Sequence, residues 1–247
     1  MTDPEKIVLS WSGGKDSALA LYELRQSQRY EIVSLLTTIS REYERISHHG
    51  VRTELLEQQA AAVGVPLQKL YLPSTDPGAC TNKEYEAAMK TVMMEYADAG
   101  IRTVAFGDIF LEDLRVYRES KLSTIGMQAL FPIWKRNTTE LIHTFIDLGF
   151  KAYLCCVDGE KLGKAFAGRA IDADLIRDLP RSVDPCGENG EFHSFVYDGP
   201  IFARAIRVTV GEVVRRDSRY FADLLPAACR QAEPASTANV SQISFTG

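Results

Sequence analysis

The strongest constraint on this chain of 247 residues lies near its start, where Ile7-Val8-Leu9-Ser10-Trp11 runs into Ser12-Gly13-Gly14-Lys15-Asp16-Ser17 and then Ala18-Leu19-Ala20-Leu21. A short β-branched apolar run, two adjacent glycines and an alanine- and leucine-rich continuation read as a buried strand, a tight turn and a helix. Glycine lets the backbone approach a bound group closely. The first turn of the helix offers unpaired N–H groups and the positive end of its dipole to an anion. Lys15 adds a cation, and Ser12 and Ser17 add hydroxyls, so the segment is a candidate phosphate loop. It is not the Walker loop of kinases and GTPases, which needs glycine, four residues, then Gly-Lys-Ser/Thr. Leu9 stands at the glycine position, and Asp16 follows Lys15.

Length and charge bound the rest. A chain of this size can bury a substantial core, either as one large α/β domain or as a nucleotide domain with a smaller companion; we expect the second, with a nucleotide-binding domain over residues 1–128, a companion domain over 129–228 and a flexible tail over 229–247. The net charge of −5 disfavours binding nucleic acid through bulk electrostatics. The opening Met1-Thr2-Asp3-Pro4-Glu5-Lys6 is unlike a signal peptide, and no stretch has the length of a membrane span, so a cytoplasmic protein is expected. The five cysteines (Cys80, Cys155, Cys156, Cys186 and Cys229) contain no C-x-x-C pair, and His48, His49, His143 and His193 show no zinc-ligand spacing with them.

Along the chain, apolar patterning predicts strands over 31–38, 67–72 and 103–106 alternating with helices over 51–63, 82–99 and 111–126. Such alternation implies a parallel sheet with ligands at the carboxyl ends of its strands. The 12–17 loop and the Gly107-Asp108 turn both fall at such ends. Phe131-Pro132-Ile133-Trp134 reads as a break and marks the domain boundary. Beyond it, a helix over 138–148, a strand over 151–157 that holds Cys155 and Cys156 as inert packing, and a helix over 172–179 precede strands over 192–197 and 205–214, read as a pair. The fold class expected is α/β: a Rossmann-like parallel-sheet domain followed by a smaller α+β domain.

A second unusual segment is Asp184-Pro185-Cys186-Gly187-Glu188-Asn189-Gly190-Glu191-Phe192-His193-Ser194-Phe195, which gathers two carboxylates, an amide and an imidazole around two glycines. If Phe192 starts a strand, alternation sends Glu191 and His193 to one face and Phe192 to the other.

The Ser-Gly-Gly-x-Asp-Ser signature resembles the pyrophosphate loop of the adenine nucleotide alpha hydrolase superfamily, the N-type ATP pyrophosphatases. Taken in order with Phe106-Gly107-Asp108-Ile109, Arg115-x-x-Arg118-Glu119, Phe131-Pro132-Ile133-Trp134, the 187–193 string and Asp198-Gly199-Pro200-Ile201-Phe202, it is similar to the diphthine–ammonia ligase family. The likeness spans residues 6–215. The 187–194 string is closer to the family's bacterial branch than to the Glu-Gly-Gly-Glu-Tyr-Glu-Thr of archaeal and eukaryotic members.

That resemblance implies ATP and magnesium as cofactors. It implies ammonia and a carboxylate acceptor as partners, the acceptor being a modified histidine of elongation factor 2 or a small molecule. ATP would be cut between its α and β phosphates to form an acyl adenylate, from which ammonia displaces AMP. On this reading Ser10, Ser12, Gly13, Gly14, Lys15, Asp16, Ser17, Thr37, Thr38, Gly107 and Asp108 bind the nucleotide, with Asp16 as the magnesium contact. Lys15 and Asp16 act in catalysis with Glu188, Glu191 and His193, which orient the acceptor or move protons. Arg115 and Arg118 face either the acceptor or solvent, and His48 and His49 stand in a loop, solvated or near the nucleotide. A homodimer is the default expectation. Two rivals are a tRNA-modifying sulfur transferase working through Cys80 or Cys186, and an adenine-nucleotide sensor without turnover.

Overall fold

The computed structural model describes residues 3–40, 45–46, 50–72 and 82–227. His48, His49, Cys80, Cys229 and the expected tail lie outside the described residues. The chain runs β1 (Glu5–Ser10), α1 (Lys15–Ser27), β2 (Tyr30–Ser40), β3 (Arg45–Ile46), α2 (Thr53–Val63), β4 (Leu67–Leu72), α3 (Asn82–Asp98), β5 (Thr103–Ala105), α4 (Glu112–Ser123) and β6 (Gln128–Leu130). It continues through α5 (Thr138–Asp147), β7 (Lys151–Asp158), α6 (Ala173–Asp178), β8 (Phe192–Asp198), β9 (Val208–Arg216) and β10 (Arg219–Pro226).

Five parallel strands stand in the order β4-β2-β1-β5-β6, and the short β3 pairs antiparallel with Ile39 and Ser40 at the end of β2. Strand β1 is central and apolar on both faces. Ile7 and Leu9 join the larger core, while Val8 joins a second cluster with Val92 and Met93 of α3 and Leu122 of α4. This is the pattern of a strand covered on both sides. The chain builds β2 and β4 on one side of β1 and β5 and β6 on the other. The loops after β1 and β5 therefore part at a topological switch point, where α/β sheets hold ligands.

A second, antiparallel sheet follows, in the order β8-β7-β10-β9. The 192–197 and 205–214 segments, read as a pair, do not pair with each other. Strand β8 lies against β7, and β9 pairs with β10, a strand absent from the sequence reading. The sheets share one core: Leu141, Ile142 and Phe145 of α5, Leu154 and Val157 of β7, and Phe195 and Val196 of β8 belong to the same buried cluster as Leu19 and Leu55. Among the described residues no helix is long and apolar enough to cross a membrane.

Candidate functional site

The loop after β1 turns at Gly13, whose φ of +75° is left-handed. A Cβ there would lie 2.5 Å from Gln59 Oε1 and 2.9 Å from Leu56 Cδ2, so only glycine fits without displacement. Gly14 then caps α1. Ser12 Oγ accepts from Gly14 N (3.3 Å), Ser17 Oγ donates to the Gly14 carbonyl (2.9 Å), and Lys15 N donates to Ser194 Oγ of β8 (3.1 Å). The second sheet thus reaches into the 12–17 loop. A second close approach completes it: a Cβ on Gly107 would lie 2.8 Å from the Asp16 carbonyl carbon.

The Lys15 ammonium is buried, 2.9 Å from Asp16 Oδ2 and 5.2 Å from the centre of the Phe192 ring. Burial by itself draws its pKa down, but the Asp16 carboxylate and other acidic neighbours outweigh burial, and the net movement is upward. Asp16 is pushed up by burial against the pull of Lys15, with Asp108 and Asp184 adding to the rise. Its Oδ1 is buried without a hydrogen-bond partner.

The 184–191 loop is built around Asp184. Its Oδ1 accepts from Cys186 N (2.9 Å) and Glu188 N (3.2 Å), and its Oδ2 accepts from Thr138 Oγ1 (2.7 Å). Lys161 Nζ and Arg219 Nη1 hold the carbonyls of Asn189 (3.1 Å) and Gly190 (3.2 Å). Glu188 is presented towards the first sheet, where its Oε1 accepts from Ile109 N (2.7 Å) and Phe110 N (3.3 Å) in the loop after β5. Burial first, and the Asp16 carboxylate next, push its carboxyl up to about 7. Cys186 donates to the Thr138 carbonyl (3.3 Å), and burial pushes its thiol up. Held as a thiol, it is a poor sulfur carrier.

These groups meet in a cavity of about 820 Å³ over the carboxyl ends of β1, β2 and β5, walled by α3 and α4. Ser10, Ser12, Gly14, Lys15, Asp16, Ser17, Thr37, Thr38, Gly107, Asp108, Glu188 and His193 all line it. Two sequence candidates do not. Gly13 shapes the turn from behind. Glu191, 1% exposed, lies under its own loop, where Oε1 accepts from Asn189 Nδ2 (3.2 Å) and Asp184 N (3.4 Å). Strand β8 does start at Phe192, but Glu191 stands in the turn before it, outside the pleat, so strand alternation does not govern where its side chain goes. Thr37 and Thr38 project beyond the last β1 partner, Leu36, and the Thr37 hydroxyl is buried without a partner. Asp108 receives a two-point ion pair from Arg118 (2.6 and 3.1 Å), whose guanidinium lies 4.2 Å from the Phe106 ring centre. Arg115 pairs with Glu119 (2.8 Å) and stacks on Phe131 and Trp134, away from the cavity.

Sequence reading missed Gln59 and Ser194. Gln59 falls three and four positions after Leu56 and Leu55, on the buried stripe of α2, and a polar residue there signals a buried hydrogen-bond role. Among the described residues no three acidic, His or Cys side chains cluster as a metal cage. The unpartnered Asp16 Oδ1 fits the other way of holding magnesium, with one carboxylate while water and phosphate oxygens complete the shell.

Fold and site together define a Rossmann-like α/β protein with a second, antiparallel sheet and a glycine-turned loop at the switch point of its parallel sheet. The chain belongs to the diphthamide synthase family. The family's N-terminal domain matches residues 5–129 and its C-terminal domain residues 137–224. It is 25% identical over 236 residues to the diphthine–ammonia ligase of Bos taurus and 24% identical over 236 residues to that of Homo sapiens, in each case covering 85% of both chains. The Schizosaccharomyces pombe diphthine–ammonia ligase is 24% identical over 90% of this chain and 39% of its own length. Among solved structures, the U34-tRNA thiolase NcsA of Methanococcus maripaludis overlaps 59% of this chain and 57% of its own, with a TM-score of 0.39 and 11% identity.

Proposed function

We propose that the chain is an ATP-dependent ligase that adenylates a carboxylate, on diphthine or a related acceptor, and transfers the acyl group to ammonia with release of AMP and pyrophosphate. One observation carries this reading: the Lys15–Asp16 loop and Glu188 line the same cavity, with Glu188 pinned on the loop after β5. Membership of the diphthamide synthase family and the likeness to diphthine–ammonia ligases support the ligase part of this reading.

A carboxylate resists amines because oxide is a poor leaving group. Its oxygen attacks the α phosphorus of ATP, the bond to the bridging oxygen breaks, and pyrophosphate leaves. Lys15, fixed by Asp16, offsets charge on the departing phosphates, and the Ser12 hydroxyl, beside Ser17 Oγ, which already donates to the Gly14 carbonyl, supplies a further donor. Magnesium, held by Asp16, would supply further charge compensation there. Ammonia nitrogen then attacks the acyl carbon, the C–O bond to AMP breaks, and one proton leaves nitrogen. Glu188, with its carboxyl near 7, and the His193 imidazole are the cavity groups suited to take it.

The test is incubation with ATP, magnesium and ammonium, offering diphthine-bearing elongation factor 2 in one arm and pooled carboxylate metabolites in another. The reading predicts an acceptor whose mass changes by replacement of OH with NH2, in step with ATP consumption. ATP consumption without any amide product, in either arm, contradicts it.

A further inference from the structure

Gln59, on α2, is fully buried, and all three hydrogen-bonding groups of its amide are used. Oε1 accepts from Trp11 Nε1 (3.0 Å), while Nε2 donates to the Gly13 carbonyl (2.9 Å) and to the Val196 carbonyl of β8 (2.6 Å). One donor and two acceptors around it permit a single orientation of the amide. Val196 N returns to the Gly13 carbonyl at 2.9 Å, so that carbonyl is clamped by two donors. Without the clamp, the Gly13–Gly14 peptide joins two residues that rotate with little steric resistance.

We propose that Gln59 is the positioning residue of the phosphate loop: it ties the Gly13 peptide to β8, holds the loop in its ligand-ready form and thereby sets the affinity for ATP. The proposal rests on reading the loop as the ATP site. The tie also sets the spacing between the two halves of the cavity, because β8 begins directly after the loop that carries Glu188. Removing the amide leaves two carbonyls and one indole N–H short of a partner in a dry interior, where such losses are felt most.

Two readouts test it, amide hydrogen exchange of the ligand-free protein and calorimetric titration with ATP and magnesium. In Gln59→Leu, exchange at Val196 and across residues 12–17 is expected to accelerate at least about tenfold, and ATP affinity to fall at least about tenfold. Gln59→Glu, of the same shape, carries the test where Leu fails to fold. Protonated, it donates one of the two bonds; ionised, it faces two carbonyls. Its ATP affinity relative to wild type should therefore decline as pH rises from about 5.5 to about 8. Gln58→Leu, next along α2 and bonded only weakly to Glu54 (3.4 Å), serves as the control that changes neither readout. Wild-type exchange and affinity in Gln59→Leu, or a pH-independent affinity ratio in Gln59→Glu, overturn the proposal. A wild-type protein that does not bind ATP overturns the nucleotide reading instead, and the exchange rates then decide by themselves whether Gln59 holds the loop.

Discussion

Burial and the Asp16 carboxylate push Glu188 up to about 7, so near neutrality the side chain stands between its two forms. The folded protein holds this proton more tightly than the unfolded chain. The stability it contributes is therefore full below about pH 4.5 and lost as pH rises through about 7. Glu188→Gln keeps an acceptor for Ile109 N without titrating. Between about pH 5 and 8 the wild type should lose about 2 kcal/mol relative to this variant, after allowance for partial exposure, as read from urea melts. A difference that stays flat or runs the other way contradicts the assignment. Lys15, Asp16 and Glu188 were legible in the sequence because their motifs are local. Gln59 and Ser194 were not, because their partners stand 46 and 179 positions away in the chain.

Among the elements, the β1–turn–α1 unit supplies six of the twelve expected residues that line the cavity, and its weak point is the turn. Gly13→Ala forces a side chain into left-handed backbone against Gln59 and Leu56, which should cost about 1–3 kcal/mol in thermal or urea unfolding and abolish measurable ATP binding. A variant of wild-type stability and affinity would show that the turn relaxes freely. The long parallel elements were readable from periodicity because apolar residues recur through each. Strand β6, three residues long, offers no period to read. Strand β10 was overlooked, and the partners of β8 and β9 were misjudged, because a strand's pattern reports which face is buried and not which strand lies beside it.

For the whole molecule, the larger core cluster, which both sheets share, and the ties of Lys15, Gly13 and Gln59 to β8 join the parallel and antiparallel sheets. Thermal unfolding followed by far-ultraviolet circular dichroism and by tryptophan fluorescence should therefore give one coincident transition, and two separated transitions would show sheets that fold independently. The same union places both halves of the proposed reaction in one cavity, so the most direct measurement follows the fate of ATP. Phosphorus NMR of a reaction with ATP, magnesium, ammonium and an accepted carboxylate should show AMP and pyrophosphate formed in equal amounts, and Lys15→Ala should slow both at least about a hundredfold. ADP and inorganic phosphate as the products, or undiminished turnover in Lys15→Ala, would contradict adenylation at this loop.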